Sequence, residues 1–117
     1  MEITTSYSSG RLTLHLSGEL DHHGARGAMK TIEGLLDKYM PRDAVLDLAG
    51  LTFMDSSGIA LIIRTDRRMR ETGGRSAIAN PRQQPLRVLD ASGIDRLIPV
   101  KGEQRVQVGG QAVLGRQ

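Results

Sequence analysis

This chain of 117 residues has no cysteine and no tryptophan. Without thiols there can be no disulfide and no thiolate metal site, and nothing in the chain asks for an oxidising compartment. Its aromatic residues are Tyr7, Tyr39 and Phe53 alone. A core must therefore be aliphatic, and there is little ring surface on which nucleic acid bases could stack. Long apolar runs are also missing. The longest, Ile59–Ile63, has five residues, far short of the ~20 that span a membrane. These absences lead us to expect a cytoplasmic protein with no membrane partner.

Charge gives a weaker signal. The net charge of +3 is small for the length. Arg64, Arg67, Arg68, Arg70 and Arg75 are dense, but Asp66 and Glu71 lie among them. That mixture reads as a solvated helix face rather than a phosphate track, so no direct nucleic acid partner is expected. The length fits one domain. We place it at 1–100, with 101–117, rich in Gly and Gln, as a tail or short closing element.

The pattern of apolar residues gives the architecture. Ile3–Tyr7 and Arg11–Ser17 flank the turn Ser8-Ser9-Gly10, and Leu12, Leu14 and Leu16 alternate with polar residues as in a half-buried strand. From Ala25 to Met40, the residues Ala28, Met29, Ile32, Leu35, Leu36 and Tyr39 recur at helical spacing, ending at Pro41. Ala44–Leu48 reads as a strand. Ile59–Glu71 reads as a helix burying Ile59, Ile62, Ile63 and Met69, with an Asp66–Arg70 pair and a left-handed stop at Gly73-Gly74. Ser76–Ala79 is a strand, Arg82–Ala91 a helix ended by Gly93, and Arg96–Val100 a last strand. The order β-β-α-β-α-β-α-β implies an α/β fold. Its mixed, mostly parallel sheet of four to five strands begins with an antiparallel hairpin and carries packed helices.

Two polar strings stand out. Gly18-Glu19-Leu20-Asp21-His22-His23 lies between the second strand and the first helix. Adjacent histidines chelate poorly, because zinc motifs on helices space their ligands by three or four. No metal is expected there, and Asp21 or a neighbour serves as a helix cap. The second string, Leu48–Gly58, reads LAGLTFMDSSG and leads from a strand end into a helix. A nucleophile elbow needs glycines two positions either side of the serine. Ser56 has Met54 and Gly58, and Ser57 has Asp55 and Ile59, so serine hydrolysis is not supported. Two readings remain for a hydroxyl at a helix start: a cap, or a switch that takes a phosphate.

Beside that reading, GELDHH at 18–23, FMDSSG at 53–58, Gly73-Gly74, Asn80-Pro81 and Asp90-Ala91-Ser92-Gly93 occur in this order. Together they resemble the STAS domain family, and within it the anti-sigma factor antagonists of the sporulation sigma-F type. The resemblance covers residues 3 to about 100. It implies a STAS fold, no catalytic activity and no cofactor. It also implies that Ser56 is the phosphoacceptor, and that Asp21, Asp55, Ser57, Gly58 and Ile59 form the docking surface. Its implied partners are an anti-sigma factor with serine kinase activity, which the unphosphorylated form binds, and a PP2C-type phosphatase that restores that form. A partner-switching STAS protein of another stress or signalling pathway is the alternative. Gly24, Arg64 and Asp66 depart from the family pattern, as does the Gly-rich stretch after Val100.

Overall fold

The computed structural model describes residues 1–102. Strand β1 (Glu2–Ser8) and strand β2 (Arg11–Leu20) pair antiparallel across Ser9-Gly10. Both turn residues have positive φ, 52° and 84°, the backbone that a tight two-residue hairpin needs. Helix α1 (His22–Tyr39), strand β3 (Asp43–Met54), helix α2 (Ser56–Glu71), strand β4 (Arg75–Ala79), helix α3 (Gln83–Ser92) and a two-residue strand β5 (Val100–Lys101) follow. The five-stranded sheet has the order β1-β2-β3-β4-β5, parallel from β2 onward. The expected fold class is borne out.

Because the strand order never reverses, each right-handed crossover places its helix on the same side of the sheet. Burial agrees. Leu12, Leu14, Leu16, Leu46, Leu48 and Ile78 are at most 1% exposed. They meet Met29, Ile32 and Leu36 of α1, Ile62 and Met69 of α2 and Leu89 of α3 in one aliphatic cluster. Helix α2 ends in the left-handed turn expected of the glycine pair. Gly73 has φ +81°, and the Gly73 and Gly74 N–H groups donate to Arg70 and Met69 carbonyls.

Several sequence expectations are corrected. The segment Arg96–Val100 is not a strand. Ile94–Arg96 forms a 3₁₀ turn, the Ile98 N–H closes back on the Ile94 carbonyl, and only Val100–Lys101 pairs with β4. Ile63 is 39% exposed. The buried stripe of α2 is Gly58, Leu61, Ile62, Thr65 and Met69, and Ile63 lies one residue, about 100°, beyond Ile62. Strand β3 runs past Leu48 to Met54 because β2 continues beside it to Leu20, with register shifts at His15/Ser17 and Gly18/Glu19. The arginines of α2 do not all point to solvent. Arg64 reaches Glu33 at 3.3 Å, and half-buried Arg68 reaches Glu33 and Asp37, tying α2 to α1. The tail expected from 101 onward begins with Lys101 in β5, and residues 103–117 lie outside the described residues.

A hydrogen-bonded line crosses the other face of the sheet. Ser6 Oγ lies 3.1 Å from His15 Nε2, and His15 Nδ1 lies 2.8 Å from Asp47 Oδ2. The other Asp47 oxygen accepts from the Ala49 N–H and from the Asn80 side-chain amide. Burial alone would raise the Asp47 carboxyl pKa. The bonds from Ala49, Asn80 and His15, together with the His15 charge, outweigh burial and leave it below the ordinary carboxylate value. A carboxyl whose folded pKa is depressed contributes stability above its unfolded pKa, about 3.9, and loses it as pH falls through the folded value. The urea midpoint should therefore drop on going from pH 7 to pH 3, and Asp47→Asn should show a smaller drop. Equal drops would mean that the line adds nothing to acid stability.

Candidate functional site

The site is built where β2 and β3 end side by side. Leu20 and Met54 are register partners, and the Asp55 N–H donates to the Leu20 carbonyl at 3.3 Å. Asp21 and Asp55 thus leave neighbouring strands about one strand spacing apart, roughly 4.8 Å. Each caps the helix that follows. Asp21 Oδ1 accepts from the Gly24 N–H at 3.0 Å, and Asp55 Oδ1 accepts from the Ser57 N–H at 2.8 Å. The Gly24 bond does most to hold the Asp21 carboxyl below its ordinary value, against some opposition from burial and with help from the His23 charge.

The serine-cap reading of the motif is corrected here. Asp55 is the cap, and Ser56 is the first residue of α2. Its hydroxyl is therefore not needed to hold the helix start. Ser56 is exposed, Asp55, Ser57 and Ile59 are half-buried, and Gly58 is buried. Gly58 is a contact of the interior, where a Cβ would stand 2.2 Å from Met54 Cγ and 3.2 Å from Leu20 Cδ2.

The two serines face different surroundings. Ser56, with Phe53, Ile59, Ile63, Val88 and Ala91, borders an open, largely apolar groove of about 800 Å³ between α2 and α3. Ser57 borders a groove of about 680 Å³ between α1 and α2. Asp21 stands at the shared end of both helices. The structure thus brings Asp21, Asp55, Ser56, Ser57 and Ile59 to one rim, and puts Gly58 beneath it. His22 and His23 lie in the first turn of α1, exposed. Among the described residues, no group of three or more His, Cys, Asp or Glu could hold a metal ion. No helix there is long and apolar enough to cross a membrane.

Gln84 escapes sequence analysis. Strand β4 stops pairing with β3 at Asp47, so Met54 has no strand neighbour on that side. Gln84 fills the gap. Its Oε1 accepts from the Met54 N–H at 2.9 Å and its Nε2 donates to the Met54 carbonyl at 3.0 Å. This two-point clamp joins α3 to the residue just before the Asp55 cap. Nothing in its local spacing signals that role. Phe53 and Ile63, both close to 40% exposed, are more legible, since each is a large apolar residue outside the buried pattern of its element.

The chain belongs to the STAS domain family, whose model matches residues 2–107. Among curated relatives, it is 31% identical over 100 residues to the anti-sigma F factor antagonist of Paenibacillus polymyxa, covering 86% of each chain. It is also 31% identical over 83 residues to the anti-sigma F factor antagonist of Lysinibacillus sphaericus, covering 71% of each. Among solved structures, it resembles the anti-sigma factor antagonist SpoIIAA in its unphosphorylated form, with a TM-score of 0.74 and 23% identity. That match covers 97% of this chain and 100% of the other. The likeness to SpoIIAA supports the fold.

Proposed function

We propose that this chain is an anti-sigma factor antagonist controlled by phosphorylation of Ser56. Unphosphorylated, it binds an anti-sigma factor that carries serine kinase activity, and the sigma factor is released. In the complex, Ser56 Oγ takes the γ-phosphoryl group of ATP, ADP leaves, and the hydroxyl proton passes to a base of the partner. The phosphorylated form no longer binds, and a PP2C-type phosphatase restores it. The chain itself is a binding module without catalysis of its own, acting in the cytoplasm. Asp21, Asp55, Ser57 and Ile59 make up the docking rim, and Gly58 supports it from below.

The observation that carries this reading is the exposed Ser56 hydroxyl at the start of α2, on the rim of an apolar groove, with the capping done by Asp55. A hydroxyl so placed can be modified without unmaking the helix, and the helix N-terminus favours the negative charge it would gain. The names of the curated relatives point the same way.

Phosphosite mapping by mass spectrometry, after incubation with ATP and the kinase encoded beside the gene, tests it. Phosphate is expected on Ser56 alone, and Ser57→Ala should still accept it. Phosphate lost in Ser57→Ala would move the acceptor assignment. No phosphate anywhere, with the kinase shown active on another substrate, would remove the switch.

A further inference from the structure

The groove between α1 and α2 meets the proposed docking rim only at Ser57 and has a chemistry of its own. Two facing stripes line it. Helix α1 contributes His22, Arg26, Met29, Lys30 and Glu33, spaced by three and four, and α2 contributes Ser57, Ala60, Leu61 and Arg64, spaced likewise. Met29 and Leu61 are almost completely buried and form the floor, while half-buried Ala25 and exposed Ala60 leave room above it. The far end is closed by Glu33, already engaged by Arg64 at 3.3 Å and Arg68 at 3.6 Å. Along the α1 rim, Arg26 and Lys30 are exposed and one helical turn apart. Neither forms an ion pair with any described residue. Both helices follow parallel strands, so their N-termini share the open end of the groove, where the capping Asp21 and Asp55 carboxylates offset the helix dipoles and leave Arg26 and Lys30 as the groove's unpaired charges.

We infer that this groove receives an acidic amphipathic helix of a protein partner. Small apolar residues of that helix lie over Ala25 and Ala60, and two carboxylates one turn apart meet Arg26 and Lys30. Charge complementarity selects this occupant. A floor without aromatic side chains offers a nucleic acid no stacking surface, and a third helix laid between two others is a recurring mode of peptide recognition. The inference stands on the groove floor, Arg26 and Lys30, and shares only Ser57 with the proposed docking rim, while Ser56 borders the opposite groove.

The test uses fluorescence anisotropy with a fluorescein-labelled helical peptide of fourteen residues, bearing Ala and Leu on one face and Glu at i and i+4 beside it. The chain should bind it, more weakly at higher salt. Arg26→Glu combined with Lys30→Glu, both exposed and away from the core, should weaken binding by about tenfold or more. The same peptide with Lys in place of Glu should recover binding to that double variant. Peptide binding is read on the unphosphorylated chain without ATP or kinase, which separates failure of this inference from failure of the proposed switch. Absence of binding at millimolar peptide, or binding indifferent to the double charge reversal, would overturn it. So would equal binding of inorganic polyphosphate through the same two residues, which would make the groove a general polyanion site.

Discussion

Ser56→Asp should bind the anti-sigma partner about 100-fold or more weakly than Ser56→Ala, with both variants as stable as the parent chain. The geometry explains both halves. Ser56 is exposed, and Asp55 rather than Ser56 satisfies the Ser57 N–H. Replacing Ser56 therefore removes no cap and opens no cavity, and changes of that kind usually stay within about 0.5 kcal/mol of neutral. Binding is another matter. Ser56 follows Asp55 directly, and the Asp55 N–H bonds to the Leu20 carbonyl just before Asp21, so two carboxylates belong to the same junction. A partner surface shaped for a neutral hydroxyl and two carboxylates would meet a third negative charge. Two unit charges ~4 Å apart interact by about 1 kcal/mol in water and about 4 at an effective dielectric of 20. A penalty of roughly 3 kcal/mol corresponds to about 100-fold in affinity. A phosphate, carrying about −1.5 to −2 charges and more bulk, should exceed the aspartate effect. Titration calorimetry of the two variants against the partner decides it. Equal affinities would show that charge at this position does not control docking.

Gly58→Ala should destabilise the domain by about 1–3 kcal/mol, although alanine is the better helix former. The added Cβ would stand 2.2 Å from Met54 Cγ and 2.6 Å from its Sδ, with Leu20 Cδ2 at 3.2 Å. Met54 and Leu20 are both fully buried, so neither side chain can swing into solvent to make room. Overpacking of this kind costs about 1–3 kcal/mol, while the gain in helix propensity offsets at most about 1. For a domain near 100 residues each kcal/mol lost lowers Tm by roughly 4–8 °C. The strain has one main source, so Met54→Ala together with Gly58→Ala should cost less than the sum of the two single changes. Simple additivity, within about 0.5 kcal/mol, would mean that the two residues do not press on each other. The junction is also where the Ser56 rim is held, so Gly58→Ala should weaken partner binding as well as folding.

Much of the architecture is legible from spacing because the helices are amphipathic and β2 alternates cleanly. Leu12, Leu14 and Leu16 point to a one-sided sheet, and α1 follows from Ala28, Met29, Ile32 and Leu36. Boundaries are harder. Strand β3 continues beyond Leu48, where the apolar run breaks at Ala49-Gly50, because Gly50 pairs with Ser17 and Leu51 with Gly18. The exposed Ile63 is misread as core because a run of apolar residues hides the helical phase. At the site, the motif residues are visible in the sequence, but the division of labour among them is not. Serine and aspartate are both good caps, and only the backbone shows that Asp55 takes the role and leaves Ser56 free. Gln84 is invisible for a different reason. Its partner, the Met54 backbone, is thirty residues away, and the need it meets arises only because β4 is shorter than β3.

The uninterrupted strand order has a consequence for how the chain assembles. Every strand pairs with the one made just before it, and α2 packs on both strands it connects while α3 reaches back over β3. A nascent chain could thus build the sheet in one direction, starting from the β1–β2 hairpin, with no strand waiting for a later segment to be inserted between existing neighbours. Unpaired edges are the species that aggregate during synthesis. Apart from the outer edge of β1, only the newest strand presents an unpaired edge at any moment, and the next unit of the chain is the one that covers it.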